Sequence, residues 1–263
     1  MKKYFYIFKS ELQSNLQYMT NILVRCLSSY IIVYILISLW KYIYSDPSEI
    51  INGYSVEQMI WYVIVTETLW NILSGRKLCK KICTDVKSGN IAYNINKPYS
   101  YIGYVISNHL GNVTISAFIY IVSSLMIGIL FVGHIPSLNI TNIILLIISC
   151  IFAILINILF ILMIGLFSFK LEDAMPFYWL YSKVIIVIGT IFPIEYFPIK
   201  LRGILSYSPI YVVSYGPAKL FVDFSYSMFL KIFIAQIIYI IVCSLICKII
   251  YKKGVKKLNV NGG

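Results

Sequence analysis

Charge is what this chain has least of. Only 12% of its 263 residues are Asp, Glu, Lys or Arg, about half the share in an ordinary soluble domain. Between Pro98 and Phe169 there is none at all, a run of 72 residues. A soluble protein of this length covers its surface with polar groups, and these are too few. Cysteine is also sparse: six residues make no disulfide framework and are most simply buried or membrane-facing thiols. Cys79/Cys83 and Cys243/Cys247 repeat at i, i+4, but no histidine lies near either pair, so a metal site is not expected. The two histidines, His109 and His134, are isolated. There is no His-Glu-x-x-His, no Gly-x-Ser-x-Gly and no pair of carboxylates within one apolar run. No glycine is followed by lysine, so no phosphate loop exists. These absences exclude a soluble enzyme, a metalloenzyme and a nucleotide hydrolase. No catalytic residue, cofactor or metal is expected on this chain.

What is present is apolar surface. Mean hydropathy is +0.84 and 60% of residues are hydrophobic, which excludes disorder. The chain reads as an all-α, polytopic membrane protein. Crossing a hydrocarbon core takes about 20 helical residues, which leaves room for six spans: 22–44, 56–74, 102–132, 140–169, 176–194 and 228–250. The turn-forming cluster from Gly133 to Asn139 divides the long uncharged run in two. Long Ile-rich runs, rather than short alternating ones, argue against a β-barrel.

Basic residues set the orientation. With the N-terminus in the cytoplasm, 17 of the 22 Lys and Arg fall inside. The five outside, Lys41, Lys200, Arg202, Lys219 and Lys231, are balanced by Asp46, Glu49, Glu57, Glu195 and Asp223. Both termini are therefore expected in the cytoplasm, and the basic balance reports topology and anionic lipid rather than nucleic acid. Residues 1–21 alternate apolar and polar positions at helical spacing, without the solid apolar core of a cleaved signal. They read as an interfacial helix on the inner leaflet or, less simply, a frayed tail.

Three segments stand out. In 76–91, Leu78, Ile82 and Val86 are four apart, while Lys77, Lys80, Lys81, Asp85 and Lys87 fill the opposite face. This amphipathic helix between two spans suits either docking into a groove on a cytosolic partner or floating on anionic lipid. Glu67 and Lys183 lie within spans, at similar depth from the same side. They either pair or line one cavity, or else Lys183 snorkels and Glu67 bonds a neighbouring helix. The segment 195–225 is apolar and aromatic, yet Pro193, Pro198, Pro209 and Pro217 interrupt it or its approach. Short outer helices dipping back into the membrane, with Glu195 among them, fit this pattern, as does a plain surface loop.

The chain resembles the permease subunits of ABC-2-type transporters, the bacterial branch of about 260 residues. The likeness rests on patterns in order. They are Asp85-Val86-Lys87-Ser88-Gly89-Asn90-Ile91 with Asn96-Lys97-Pro98; Phe192-Pro193 and Phe197-Pro198; Ser208-Pro209; Tyr215-Gly216-Pro217-Ala218-Lys219; and the tail Gly254-Val255-Lys256-Lys257 with Gly262-Gly263. The abundance of Tyr, Ile and Asn departs from the family and looks like coding bias. The resemblance implies a bacterial plasma-membrane exporter in which two permeases, alike or homologous, form the pathway. Each would bind a separate ATPase subunit, which holds the ATP and Mg, through the helix at 76–91. The coupling residues it implies are Leu78, Lys80, Lys81, Ile82, Asp85, Val86 and Gly89. The prolines after the fifth span match a re-entrant outer hairpin. Residue reading alone keeps two other classes open, a secondary transporter and a membrane scaffold. The first usually shows internal repeats, and none is visible here.

Overall fold

The computed structural model describes residues 2–17, 19–46, 48–171 and 173–261. These residues form eleven α-helices joined by short 3₁₀ and π pieces, with no strand beyond one isolated bridge. The chain is an all-α polytopic membrane protein. Four helices are long and apolar enough to cross a membrane: α2 (Met19–Ile43), α6 (Tyr101–Val132), α7 (Ile140–Leu166) and α11 (Tyr226–Asn261). Two shorter helices stand among them. They are α3 (Val56–Ile72) and α8 (Met175–Val184), the latter continued by a π-helix over Ile185–Ile191.

α3 is the axis of the fold. It is buried on every side, from Met59 to Ile64 and from Thr66 to Leu69, the polar Thr66, Glu67 and Thr68 included. Ser55 starts it through a capping box with Gln58, whose side chain accepts from the Ser55 N–H at 3.0 Å.

Two cores form at opposite ends of α3. At one end α3 meets α2 and the segment that follows the π-helix, burying Trp40, Tyr44, Tyr54, Trp61, Tyr62 and Tyr215. At the other, α4 (Arg76–Lys87) packs on the starts of α6 and α8 and the ends of α7 and α11. This second end carries the basic residues of α1 (Lys2–Gln17), α4 and the last turns of α11.

α6 and α11 are longer than a bilayer needs. The 32 residues of α6 measure about 48 Å, against about 30 Å of hydrocarbon. The surplus is its polar first third, Tyr101–Asn112, and α1 lies along it. Gly103 and Gly111 permit that approach. A Cβ on Gly103 would sit 2.7 Å from the Tyr4 ring, and one on Gly111 2.8 Å from the Phe8 carbonyl. The Tyr4 hydroxyl also accepts the Ser100 N–H at 2.9 Å. The expected interfacial helix thus also packs along a span, while Phe5 and Leu16 of its apolar side stay exposed.

The segment expected at 76–91 is two helices. α4 ends at Lys87, Gly89 takes a left-handed turn (φ +74°), and α5 (Asn90–Ile95) begins. Glycine suits that turn because side chains disfavour positive φ.

Candidate functional site

Two structures flank α3, and each is built from residues that the sequence singled out.

The first is α4. Its apolar face is turned inward: Leu78, Cys79, Ile82 and Cys83 are buried against Ile158, Ile161 and Leu162 of α7 and Tyr178 of α8. Ile82 fits over Gly165, where a Cβ would come within 2.9 Å of its Cδ1. Asp85 accepts the Tyr101 hydroxyl at 2.9 Å. Lys81 donates to the Tyr104 hydroxyl at 2.9 Å and to Asn108 Oδ1 at 3.3 Å. Arg76 lies over the Trp179 ring, 4.8 Å from its centre.

Leu78, Ile82 and Val86, expected among the coupling residues, are thus turned inward. Leu78 and Ile82 are fully covered and Val86 is half-buried. The apolar stripe finds its cover within the chain, because the end of α7 and the start of α8 pack over it. Of the seven residues assigned to coupling, only Lys80 and Gly89 are exposed. The outward face is Lys80, Thr84, Lys87 and Ser88, beside a cleft of about 320 Å³ completed by Cys83, Asp173 and Met175.

The elbow before α4 is equally fixed. Asn157 of α7 donates to the Leu73 carbonyl at 2.7 Å and accepts the Tyr181 hydroxyl at 3.0 Å. Tyr181 stacks on Phe160 with rings 5.7 Å apart and nearly parallel. α4 is therefore tied to α3, α7 and α8 together. The two thiols on its buried side differ. The Cys79 thiol donates to Cys83 and holds it below the usual thiol range, against the opposing pull of burial, while Cys79 itself is pushed up.

The second structure is the outer segment. The π-helix at Ile185–Ile191 leaves backbone carbonyls outside the regular ladder, and side chains take them up. Gly189 accepts Tyr62 at 3.3 Å and Ser214 at 2.8 Å, and Thr190 accepts Thr66 at 3.0 Å. Pro193 and Ile194 then enter the core. α9 (Ile199–Ser206), started by Pro198, is exposed on its apolar positions Ile199, Leu201 and Ile204. After Pro209 the chain turns back inward. A second π-helix (Tyr211–Tyr215) and α10 (Gly216–Val222), with Pro217 in its first turn, are buried against α3, α7 and α11.

Glu195 holds this segment. It accepts Tyr215 at 2.5 Å and Tyr54 at 3.1 Å. Arg202 clamps the loop by donating to the carbonyls of Glu195 (2.6 Å) and Phe197 (2.7 Å). Lys219 lies 4.1 Å from the Tyr54 ring centre and pairs with Asp223 at 2.9 Å. Burial first, then the negative charge nearby, pushes the Tyr54 phenol above its usual range. Tyr54 reaches Glu195 from a tight turn in which Asn52 and Gly53 both take positive φ, 51° and 84°. Ile51 and Tyr54 exchange backbone hydrogen bonds of 3.0 and 3.1 Å across it. That Asn-Gly pair is a hairpin signal which the sequence reading passed over.

Glu67 and Lys183 are not brought together. Glu67 is buried and accepts from Asn71 at 2.9 Å, one turn along its own helix. Lys183 is exposed on α8. No ion pair joins them among the described residues. A local amide satisfies the acid, so the distant lysine is not needed. Among the described residues there is also no cluster able to hold a metal.

The chain was compared with known families. A family model described as ABC-2 family transporter protein matches residues 27–262. No curated protein matches the chain. The matched region takes in α3, α4 and the outer segment, while α1 lies before it.

Proposed function

This chain belongs to the ABC-2 family of transporter proteins, and from that premise we propose that it is the permease of an exporter driven through α4 by a separate ATPase subunit. These residues hold no phosphate loop, and in this reading a separate ATPase supplies the force. The observation that carries the reading is the mounting of α4. The helix is clamped on its apolar side by α6, α7 and α8, and it offers outward a short basic face with an adjoining cleft. A rigid lever with a free polar face suits a partner that pushes. Lys80 and Lys87 provide charge for an acidic rim, and charge complementarity of this kind sets register and encounter rate.

In this reading α4 lies on the cytoplasmic side with both termini, in keeping with the basic residues at that end. Motion of α4 passes to α3 and α8 through Leu73, Asn157 and Tyr181. The buried outer segment closes the opposite end of the pathway. A second permease, identical or homologous, completes it in the bacterial plasma membrane.

The test is co-purification. The chain is expressed with an ABC ATPase subunit from its own source genome, and Lys80→Glu/Lys87→Glu is compared with the parent. Loss of ATPase from the complex, with the helix content and detergent elution of the permease unchanged, supports the assignment. Undiminished association overturns it. Labelling of Lys87→Cys by an impermeant maleimide checks the side independently: reaction in intact cells places α4 outside and ends the proposal.

A further inference from the structure

A second polar feature lies at the same end of the molecule, on the other flank of α4. Lys77 and Lys81 are four residues apart on α4, and Asn108 and Asn112 four apart on α6, so each pair shares a helix face. With Glu11 of α1 and His109 they line a cavity of about 210 Å³. At about 30 Å³ per water in the liquid, this is room for several waters or one small ion with its substituents.

The lining is cationic and under-used. Neither lysine is paired with a carboxylate among the described residues. Lys81 spends its hydrogen bonds on neutral groups, Tyr104 and Asn108. Glu11, the one acid, is already held by Asn108 Nδ2 at 2.6 Å and Asn15 Nδ2 at 3.1 Å. His109 is only 4% exposed, and its Nε2 is buried without a hydrogen-bond partner. A polar atom left so is costly and asks for a partner. Two ammoniums against one occupied carboxylate leave the cavity attractive to an anion.

Its level in the membrane narrows the anion. The twenty residues from 113 to 132 of α6 are enough to cross the hydrocarbon. Asn108 and Asn112 therefore lie just beyond its edge, in the headgroup layer. We propose that this cavity binds a phosphate group, that of an anionic phospholipid reaching in from the adjoining leaflet. Lys77 and Lys81 supply the charge-assisted donors and the Asn112 amide a neutral one. The occupant would bridge α1, α4 and α6 and so bias how firmly α4 is seated. The site does not depend on α4 meeting an ATPase.

Native mass spectrometry of the purified chain tests this. Phosphatidylglycerol and phosphatidylcholine are supplied in parallel, and inorganic phosphate is added as a competitor. Phosphatidylglycerol should be retained over phosphatidylcholine. Lys77→Gln/Lys81→Gln should weaken its retention about tenfold or more, since charge-assisted bonds are lost, while Lys252→Gln on the exposed end of α11 should not. Phosphate that binds while phosphatidylglycerol does not would keep the phosphate site and reassign its source to the solution. If the double variant misfolds, Asn112→Leu decides by the same readout. Equal retention by the variants and the parent, or no binding of either probe, overturns the proposal.

Discussion

The Tyr215 hydroxyl lies 2.5 Å from Glu195 Oε1, while Tyr54 donates to the other oxygen of the same carboxylate at 3.1 Å. One acid thus joins the loop before α3, the descent from the π-helix and the start of α10. Removing it leaves two phenols without their acceptor. Hydrogen bonds to a charged group contribute about 1.5–3 kcal/mol each. Glu195→Leu is expected to destabilise the outer segment by about that much per bond lost. Hydrogen exchange should rise over 193–222 and stay unchanged in α4. Uniform exchange in the variant and the parent would contradict the role given to Glu195.

Tyr54 also makes a pH prediction. Its phenol is raised in the folded protein by burial and nearby negative charge. A raised acid favours the neutral form, so its contribution is whole below the unfolded value, about pH 10, and is lost as pH climbs beyond it. Thermal unfolding in detergent should be level from neutral pH to about 10 and fall above. Tyr54→Phe should flatten the part of that fall due to this residue.

Ile82 is covered completely by α7 and its neighbours. Ile82→Ala should cost about 2–5 kcal/mol, read as a lower unfolding temperature. Lys80→Glu, on the exposed face, should leave stability within about 0.5 kcal/mol. Similar losses from both would mean that α4 is seated differently.

Gly111 meets the Phe8 carbonyl and the Glu11 side chain closely enough that a Cβ there would lie 2.8 and 2.9 Å away. Backbone cannot yield as a flexible side chain can. Gly111→Val should lift α1 from α6, seen as faster amide exchange over 2–17, with the spans intact. Gly203→Ala, where a Cβ meets nothing within 4 Å, is the control.

The hydrogen bond from Cys79 holds the Cys83 thiol below the usual thiol range. Alkylation of Cys83 by iodoacetamide, followed by peptide mass, should therefore begin at lower pH than for an ordinary thiol, because the thiolate is the nucleophile. Cys79→Ala should move the rise to higher pH. An unchanged profile would show that the two thiols do not communicate.

The sequence by itself determined that the chain lives in a membrane, where its longest spans fall, and that one basic amphipathic helix stands between them. Those features depend on composition and on local periodicity, which the chain carries residue by residue. The prolines at 193, 198, 209 and 217 likewise announced a broken segment. Periodicity shows that α4 has an apolar face. It does not show what covers that face, and the answer lay in the end of α7 and the start of α8. For that reason Leu78 and Ile82 were legible as one face of a helix, while their burial within the chain was not. Glu67 and Lys183 had matching depth, yet depth does not fix the direction in which a side chain points. The union of Glu195 with Tyr54 and Tyr215 spans 141 residues in one case and 20 in the other. No local pattern records it. Only tertiary packing decided those contacts, because a buried hydrogen bond is chosen by whichever donor the fold brings within reach of the acid.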